Sequence, residues 1–356
     1  MYPFLINKRI WLFGDRPENA DDNAKHLFKY SSKQNDGIKK YFIVNKDSES
    51  FNEMKKIDKH VVPFESLKHK ILYLFAEKTI YSYVNENFIN PFFNSNFGLY
   101  KGLVTSEKLF LQHGVTKDDV SQFIKKYNQN LSLIVTVSDL EKNSFLKEGY
   151  NYDDDIIQVV GFPRYDNLDN KNLKKQILFM PTWRLDLEND LMFKNSDYYH
   201  SLENVLNNEE LIEYLIEHDY KLIFKPHPEL LKYLDLMEIN EHVEISLNDS
   251  YQKLFNESSL LITDFSSVFF DFAYLKKPVI YYQPNDDYHY GDGYFDYETM
   301  GFGPVINEEE DLFNEINSYI SKDCSMEEKY KNRVKNFFKY TDKNNCKRTY
   351  EWILKH

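Results

Sequence analysis

Long apolar runs, cysteine and glycine are in short supply in this chain of 356 residues, and positive charge is outnumbered by negative. No run approaches the ~18 to 20 apolar residues that span a bilayer. The best candidates, such as residues 71–76, are far too short, so no transmembrane helix is expected. Residues 1–9 hold no apolar h-region ahead of a small-residue cleavage site, so no secretory signal peptide is expected. Both absences point to a cytoplasmic protein, with a peripheral hold on the inner face of the cell membrane, through aromatic and lysine-rich surface, left open. The two cysteines, Cys324 and Cys346, have no metal-ligand spacing and form no disulfide framework, which suits a reducing compartment. Lys and Arg total 44 against 57 Asp and Glu, a net charge of −13, which argues against a nucleic-acid partner. Neither G-x-x-x-x-G-K-[ST] nor G-x-G-x-x-G occurs, excluding a P-loop ATPase and an ordinary dinucleotide oxidoreductase, and H-E-x-x-H and G-x-S-x-G are missing too.

Aromatic residues are plentiful, with 28 Tyr and 28 Phe, so there is ample core material, and the length suits two domains of ordinary size. The chain is organised around residues 260–282. A short apolar run, Leu260 to Thr263, stops at Asp264; Ser266 or Ser267 stands where a helix N-cap belongs; an apolar segment of two turns follows; Pro278 opens a second apolar run, Val279 to Tyr282. Strand, turn, helix, strand is a βαβ unit with parallel strands, and the helix N-terminus with its two serines could hold a phosphate or be a plain N-cap.

The same alternation runs through both halves. Strands are expected at 9–13, 42–44, 60–64, 78–84, 109–111, 131–137 and 156–160, then at 177–180, 221–224 and 243–246. Helices are expected at 19–30, 67–77, 139–149, 203–218, 251–256, 308–320, 326–338 and 345–354, with a long loop at 85–101. This is an α/β protein of two parallel-sheet domains. The polar, Lys- and Asn-rich stretch 168–175 reads as the hinge, giving domains 1–165 and 166–340 and a last helix, 341–356, that folds back on the first domain.

In open α/β sheets ligands bind beyond the carboxyl ends of the strands. Asp15, Arg16, His113, Arg164, Arg184, Lys225, His227, Asp264, Ser266 and Ser267 fall there. His227 stands between Pro226 and Pro228, which hold it extended and out of a helix; a turn histidine is the plainer alternative. His113 precedes Gly114, where a ligand can approach the backbone closely; taken alone, a His-Gly pair is more often structural. Histidine titrates near neutrality, so either could take a proton from an alcohol or hold a phosphate. The Arg184 guanidinium suits a pyrophosphate, while Trp183 could stack on a base or simply pack. Asp286, Asp287 and the segment from Gly291 to Glu298 form an acidic aromatic loop, which could bind polyol hydroxyls or a metal or could be a solvated loop.

Six blocks carry a family resemblance: Gln112-His113-Gly114, Gly161-Phe162-Pro163-Arg164-Tyr165-Asp166, Pro181-Thr182-Trp183-Arg184, Lys225-Pro226-His227-Pro228, Thr263-Asp264-Phe265-Ser266-Ser267-Val268-Phe269-Phe270-Asp271 and Lys277-Pro278-Val279-Ile280. In this order they resemble the CDP-glycerol glycerophosphotransferase family of teichoic acid and capsule polymerases, over roughly residues 9–354; the segments 294–298 and 342–348 resemble its later motifs. The resemblance implies a GT-B fold, two Rossmann-like domains facing across a cleft. It implies a transferase in which an acceptor hydroxyl attacks the β-phosphorus of a CDP-polyol and CMP leaves; glycerol phosphate is the first choice for the group carried, with ribitol and longer polyols left open. By the same resemblance His113 is the base and His227 the second essential histidine, at the diphosphate. Ser266 and Ser267 are the phosphate cradle and Arg184 a further phosphate contact. Asp264 and Asp271 support the loop or the nucleotide ribose, and Gly114, Arg164, Thr182 and Lys225 complete the substrate-binding set. The partners implied are a CDP-polyol donor and a lipid-linked or polymeric glycan acceptor. No cofactor is obligatory, and a divalent metal is left open. Phe265 departs from a frequent tyrosine, and the long N-terminal extension of some members is missing, so the chain reads as a short member or as part of a longer protein. Two other readings are a GT-B glycosyltransferase using a nucleotide sugar and a non-catalytic two-domain binding protein.

Overall fold

The computed structural model describes residues 5, 8–93, 97–184, 186–284 and 292–356. It divides the chain into two units, Met1–Asn167 with Phe337–His356, and Leu168–Asn336.

The first unit is built on a seven-stranded sheet in the order β3-β2-β1-β4-β5-β6-β7. Its strands are β1 (Ile10–Gly14), β2 (Lys39–Val44), β3 (Val61–Pro63), β4 (Lys78–Tyr81), β5 (Glu107–Phe110), β6 (Leu133–Thr136) and β7 (Ile157–Val159). Every adjacent pair is parallel. β1, β4 and β6 are buried along their whole length, which is why β1 and β6 read as near-continuous apolar runs rather than alternating ones. The strand order reverses direction between β1 and β4, so the loops after these strands flank the crevice where such sheets place their ligands.

The second unit carries a six-stranded sheet in the order β10-β9-β8-β11-β12-β13, also parallel throughout. The strands are β8 (Gln176–Met180), β9 (Lys221–Phe224), β10 (Val243–Ile245), β11 (Leu260–Thr263), β12 (Val279–Tyr282) and β13 (Val305–Ile306). Here the direction of strand order reverses between β8 and β11. The aromatic supply goes into the cores: Trp183, Phe193 and Tyr233 stack on one another inside this unit. Trp183 is therefore a packing residue.

The helix expected at 203–218 is two helices, Asp197–Leu206 and Glu209–Glu217. Asn208 separates them, because its side chain accepts from Leu211 N and caps the second helix. The loop expected at 85–101 contains a short 3-10 turn, Glu86–Phe88, and one helical turn, Phe97–Tyr100. Among the described residues no helix is long and apolar enough to cross a membrane.

The last helix, Asn345–Lys355, packs within the first unit against helix α1 (Asn23–Ser31) and the turn Pro163–Asn167. Asp166 anchors it: its two oxygens accept from Asn345 N, Asn345 Nδ2 and Cys346 N at 2.8–2.9 Å. Gly161 is required at this contact. Its φ is +79°, and a Cβ there would stand 2.0 Å from Asn345 Oδ1. Arg348 adds bonds to Val160 O and Asp342 and lies 3.8 Å over the Tyr340 ring. Residues 161–166 and 342–348, two of the motif blocks, thus hold each other.

Candidate functional site

In the first unit, β1 delivers Asp15 and Arg16, β4 delivers Ser82 and Tyr83, and β5 delivers Gln112 and His113. Asp15 is buried and faces the start of α1. It accepts from Asp22 N, Ala24 N and Lys25 N at 3.0–3.2 Å and from Ser82 Oγ at 2.6 Å. That helix N-terminus is consequently satisfied from within. Burial pushes the Asp15 carboxyl above its ordinary value despite these bonds.

Asp22, the N-cap of α1, pairs with Arg164 at 2.7 Å, and the Asn23 side chain joins the Arg164 backbone N to the Gln112 carbonyl. The His113 ring stacks on Tyr83, with centroids 4.8 Å apart and planes 14° from parallel, while the Arg16 guanidinium lies over Tyr83 at 4.7 Å. His113 keeps an exposed surface in this crowded surround. Desolvation by that surround, then the positive charges of Arg164 and Arg16, push its pKa down to about 4. At neutral pH the imidazole is uncharged and able to accept a proton.

Gln112 has φ +61°, left-handed for a residue with a side chain, a conformation that costs on the order of 1–2 kcal/mol. Its carboxamide and the amide of Thr116 both meet the buried Glu141, on helix α2 (Asp139–Phe145). Burial pushes the Glu141 carboxyl up to about 7, against bonds from Val137 N, Thr116 N and Gln112.

In the second unit, Asp264 ends β11 and gathers the loop after β8. One of its oxygens accepts from Thr182 N, Thr182 Oγ1 and Phe265 N at 2.6–2.8 Å. The other accepts from Arg184 Nη1 at 2.9 Å. Arg184 and Asp264 are both buried, so this is an internal ion pair, with the arginine also donating to Thr182 O. Lys225 and His227 follow β9 and are half-buried. Lys225 Nζ donates to Leu247 O and lies near the Tyr251 ring. His227 is extended, φ −61° and ψ 146°, and caps the 3-10 helix Pro228–Leu236: its Nδ1 accepts from Glu229 N at 3.2 Å. An accepting Nδ1 puts the ring proton on Nε2 and makes that atom a donor.

Ser266 and Ser267 are half-buried at the start of helix α3 (Val268–Tyr274). Ser267 is the N-cap by backbone position, yet its side chain makes no cap bond, and the Ser266 hydroxyl is 3.5 Å from Val268 N. Asp271 is buried on α3. Lys277, from the sixth motif block, donates to the carbonyls of Phe255, Asn256 and Ser258 and so closes the end of the helix Tyr251–Glu257.

Within the first unit, His113, Gly114 and Arg164 come together with Asp22 and Asn23. Within the second, Thr182, Arg184 and Asp264 form one network, Ser266 and Ser267 continue from Asp264, and Lys225 and His227 share the end of β9. Asp286, Asp287 and Gly291 of the acidic loop lie outside the described residues. Among the described residues no three His, Cys, Asp or Glu side chains are grouped to hold a metal ion. Sequence reasoning passed over Tyr83 and Glu141. Tyr83 carried no signal beyond its place at a strand end. Glu141 sits in a Ser138-x-x-Glu141 pattern, an ordinary helix-start signature.

The sequence profile of the CDP-Glycerol:Poly(glycerophosphate) glycerophosphotransferase family matches residues 2–355. The chain belongs to this family. It is 45% identical to the minor teichoic acid biosynthesis protein GgaB of Bacillus subtilis (strain 168), over 99% of this chain and 40% of that protein. It thus spans about two fifths of that relative's length. Among solved structures, the wall teichoic acid polymerase TagF superposes with a TM-score of 0.72 at 19% identity, covering 99% of this chain and 90% of that one. A UDP-GlcNAc 2-epimerase of Methanocaldococcus jannaschii gives 0.58 at 15% identity, covering 98% of this chain and 100% of that one. These likenesses make the fold GT-B-like.

Proposed function

We propose that the chain transfers a polyol phosphate, glycerol phosphate foremost, from a CDP-polyol to a hydroxyl of a teichoic acid or capsule-type acceptor. The acceptor oxygen attacks the β-phosphorus, its proton passes to His113, and the bond from that phosphorus to the bridging oxygen breaks, with the electron pair leaving on CMP. Phosphoryl transfer of this kind asks mainly for positioning and charge stabilisation. Lys225, the Nε2–H of His227 and the hydroxyls of Ser266 and Ser267 supply donors to the diphosphate. Asp264 and Arg184 act one step back, holding the loops after β11 and β8.

The observation that carries the reading is His113: an imidazole with exposed surface just past the end of β5, stacked on Tyr83, on the first motif block of a chain that belongs to this family. TagF, a structural neighbour, has been solved after soaking with CDPG, which supports a CDP-polyol as the donor class. The test is CMP release from CDP-glycerol and CDP-ribitol, each with a lipid-linked or soluble glycan acceptor, beside a panel of CMP- and UDP-sugars. Acceptor-dependent CMP from one CDP-polyol is expected. Turnover of a nucleotide sugar alone would replace this reading with a glycosyltransferase.

A further inference from the structure

We infer that Glu141 is a positioning residue for His113, its buried carboxylate locking the turn that carries the histidine. The inference rests on the reading of His113 as the base.

The local sequence Ser138-Asp139-Leu140-Glu141 is a capping-box pattern, in which the glutamate ordinarily reaches back to the amide of its own N-cap residue. Half of that box is present: Ser138 Oγ accepts from Glu141 N at 3.0 Å. The other half is diverted. Oε2 accepts from Val137 N, one residue before the cap, at 2.8 Å. Oε1 leaves the helix altogether and accepts from Gln112 Nε2 at 3.0 Å and Thr116 N at 2.8 Å. One oxygen therefore ties both ends of the turn 112–116, while the other fixes it to the end of β6. Glutamate is seldom fully buried, and Glu141 is 0% exposed.

The turn needs such a tie. Gln112 holds the left-handed conformation immediately before His113, and relaxing it would re-aim the histidine. Every polar atom of the Gln112 side chain is committed against that: Nε2 also donates to Val135 O and Oε1 accepts from Thr116 Oγ1, both at 2.6 Å. Glu141 meets three donors and no cation at ion-pair distance among the described residues. A carboxylate is the side chain of this length with acceptors on both terminal atoms; glutamine would set an NH2 against one of the N–H groups. The chemistry of the partners thus calls for glutamate.

The test pairs Glu141→Gln, which keeps the volume, with Thr116→Val, which removes only the hydroxyl on Gln112. The readouts are steady-state CMP release and amide hydrogen exchange at 113–116. In Glu141→Gln, kcat is expected to fall roughly 10- to 100-fold, the scale of a misplaced reacting group. KM for the donor should stay within about twofold, as for a group acting only on the chemical step. Exchange at Thr116 should quicken by about tenfold or more as its acceptor weakens. Thr116→Val is expected to show the same split more weakly, and it carries the kinetic test if Glu141→Gln does not fold. A folded Glu141→Gln protein with wild-type kcat, a loss confined to KM, or unchanged exchange at Thr116 overturns the inference. If the wild-type chain releases no CMP from any CDP-polyol, the functional reading fails on its own. Exchange at 113–116 then still decides whether Glu141 holds the turn.

Discussion

The two units brace their strand-end loops with buried carboxylates, but the braces differ in charge. In the second unit Asp264 faces the buried guanidinium of Arg184 as well as Thr182 and Phe265. In the first unit the carboxylate that pairs with a guanidinium is Asp22, with Arg164, whereas the more deeply buried Asp15 and Glu141 meet, among the described residues, only neutral donors: backbone amides and the side chains of Ser82 and Gln112. Burial accordingly raises both of their pKa values. The difference fits the tasks assigned above. A diphosphate site tolerates a permanent cation such as Arg184 near by. A site built around a neutral imidazole already has Arg164 and Arg16 around it, and a brace without a further cation leaves His113 able to accept a proton.

The comparison can be broken in several places. The largest effect is expected in rate: removing a general base typically costs about 10²–10⁴-fold, so His113→Ala should lower kcat on that scale in the CMP-release assay. The pH profile sharpens this. As the proposed base His113 must be unprotonated, and its surround pushes its pKa down to about 4, so kcat/KM should show no inflection from this group near 6.5, where an unperturbed histidine titrates; an inflection there would show that water reaches the ring.

Next comes the ion pair. Asp264→Ala breaks this buried ion pair and the bonds to Thr182 and Phe265, which should cost about 3–5 kcal/mol of stability in denaturant melts; a loss below about 1 kcal/mol would mean that other partners or water compensate the arginine. The unpaired brace should show itself through pH. Glu141 titrates at about 7 in the folded chain against 4.5 ordinarily. Between those values the folded state binds more protons than the unfolded one, so stability falls as pH rises through that window. Relative to Glu141→Gln, the wild-type unfolding free energy should drop by about 3 kcal/mol from the bottom of the window to the top. A pH-independent difference would show that the three hydrogen bonds hold the carboxylate ionised throughout.

The smallest effect is Ser267→Ala. Its side chain makes no cap bond, so stability should move by less than about 0.5 kcal/mol. CDP-polyol affinity should weaken by ~1.5–3 kcal/mol, the worth of a charge-assisted hydrogen bond. Unchanged affinity in a titration would place the phosphate elsewhere.

Much of this was legible in the residues. The sheets were readable because parallel strands buried on both faces, such as 260–263 and 279–282, are short unbroken apolar runs. The strand-end residues followed from those runs and from the rule that ligands sit at strand carboxyl ends. The braces were not readable. Glu141 meets Gln112 across 29 positions of sequence, and its local pattern is satisfied by an ordinary helix start. The pairing of Arg184 with Asp264, 80 positions away in sequence, left no local signal either. The split between the helices at 197–206 and 209–217 was hidden by apolar spacing that runs through Asn207 and Asn208, where local capping prevailed over periodicity.

The most direct test of the division of labour is to measure CDP-polyol binding and CMP release side by side for His113→Ala and His227→Ala. The account predicts that His113→Ala binds donor as the wild type does and releases almost no CMP, while His227→Ala loses donor affinity. Donor binding lost in His113→Ala and kept in His227→Ala would reverse the assignment of the two histidines.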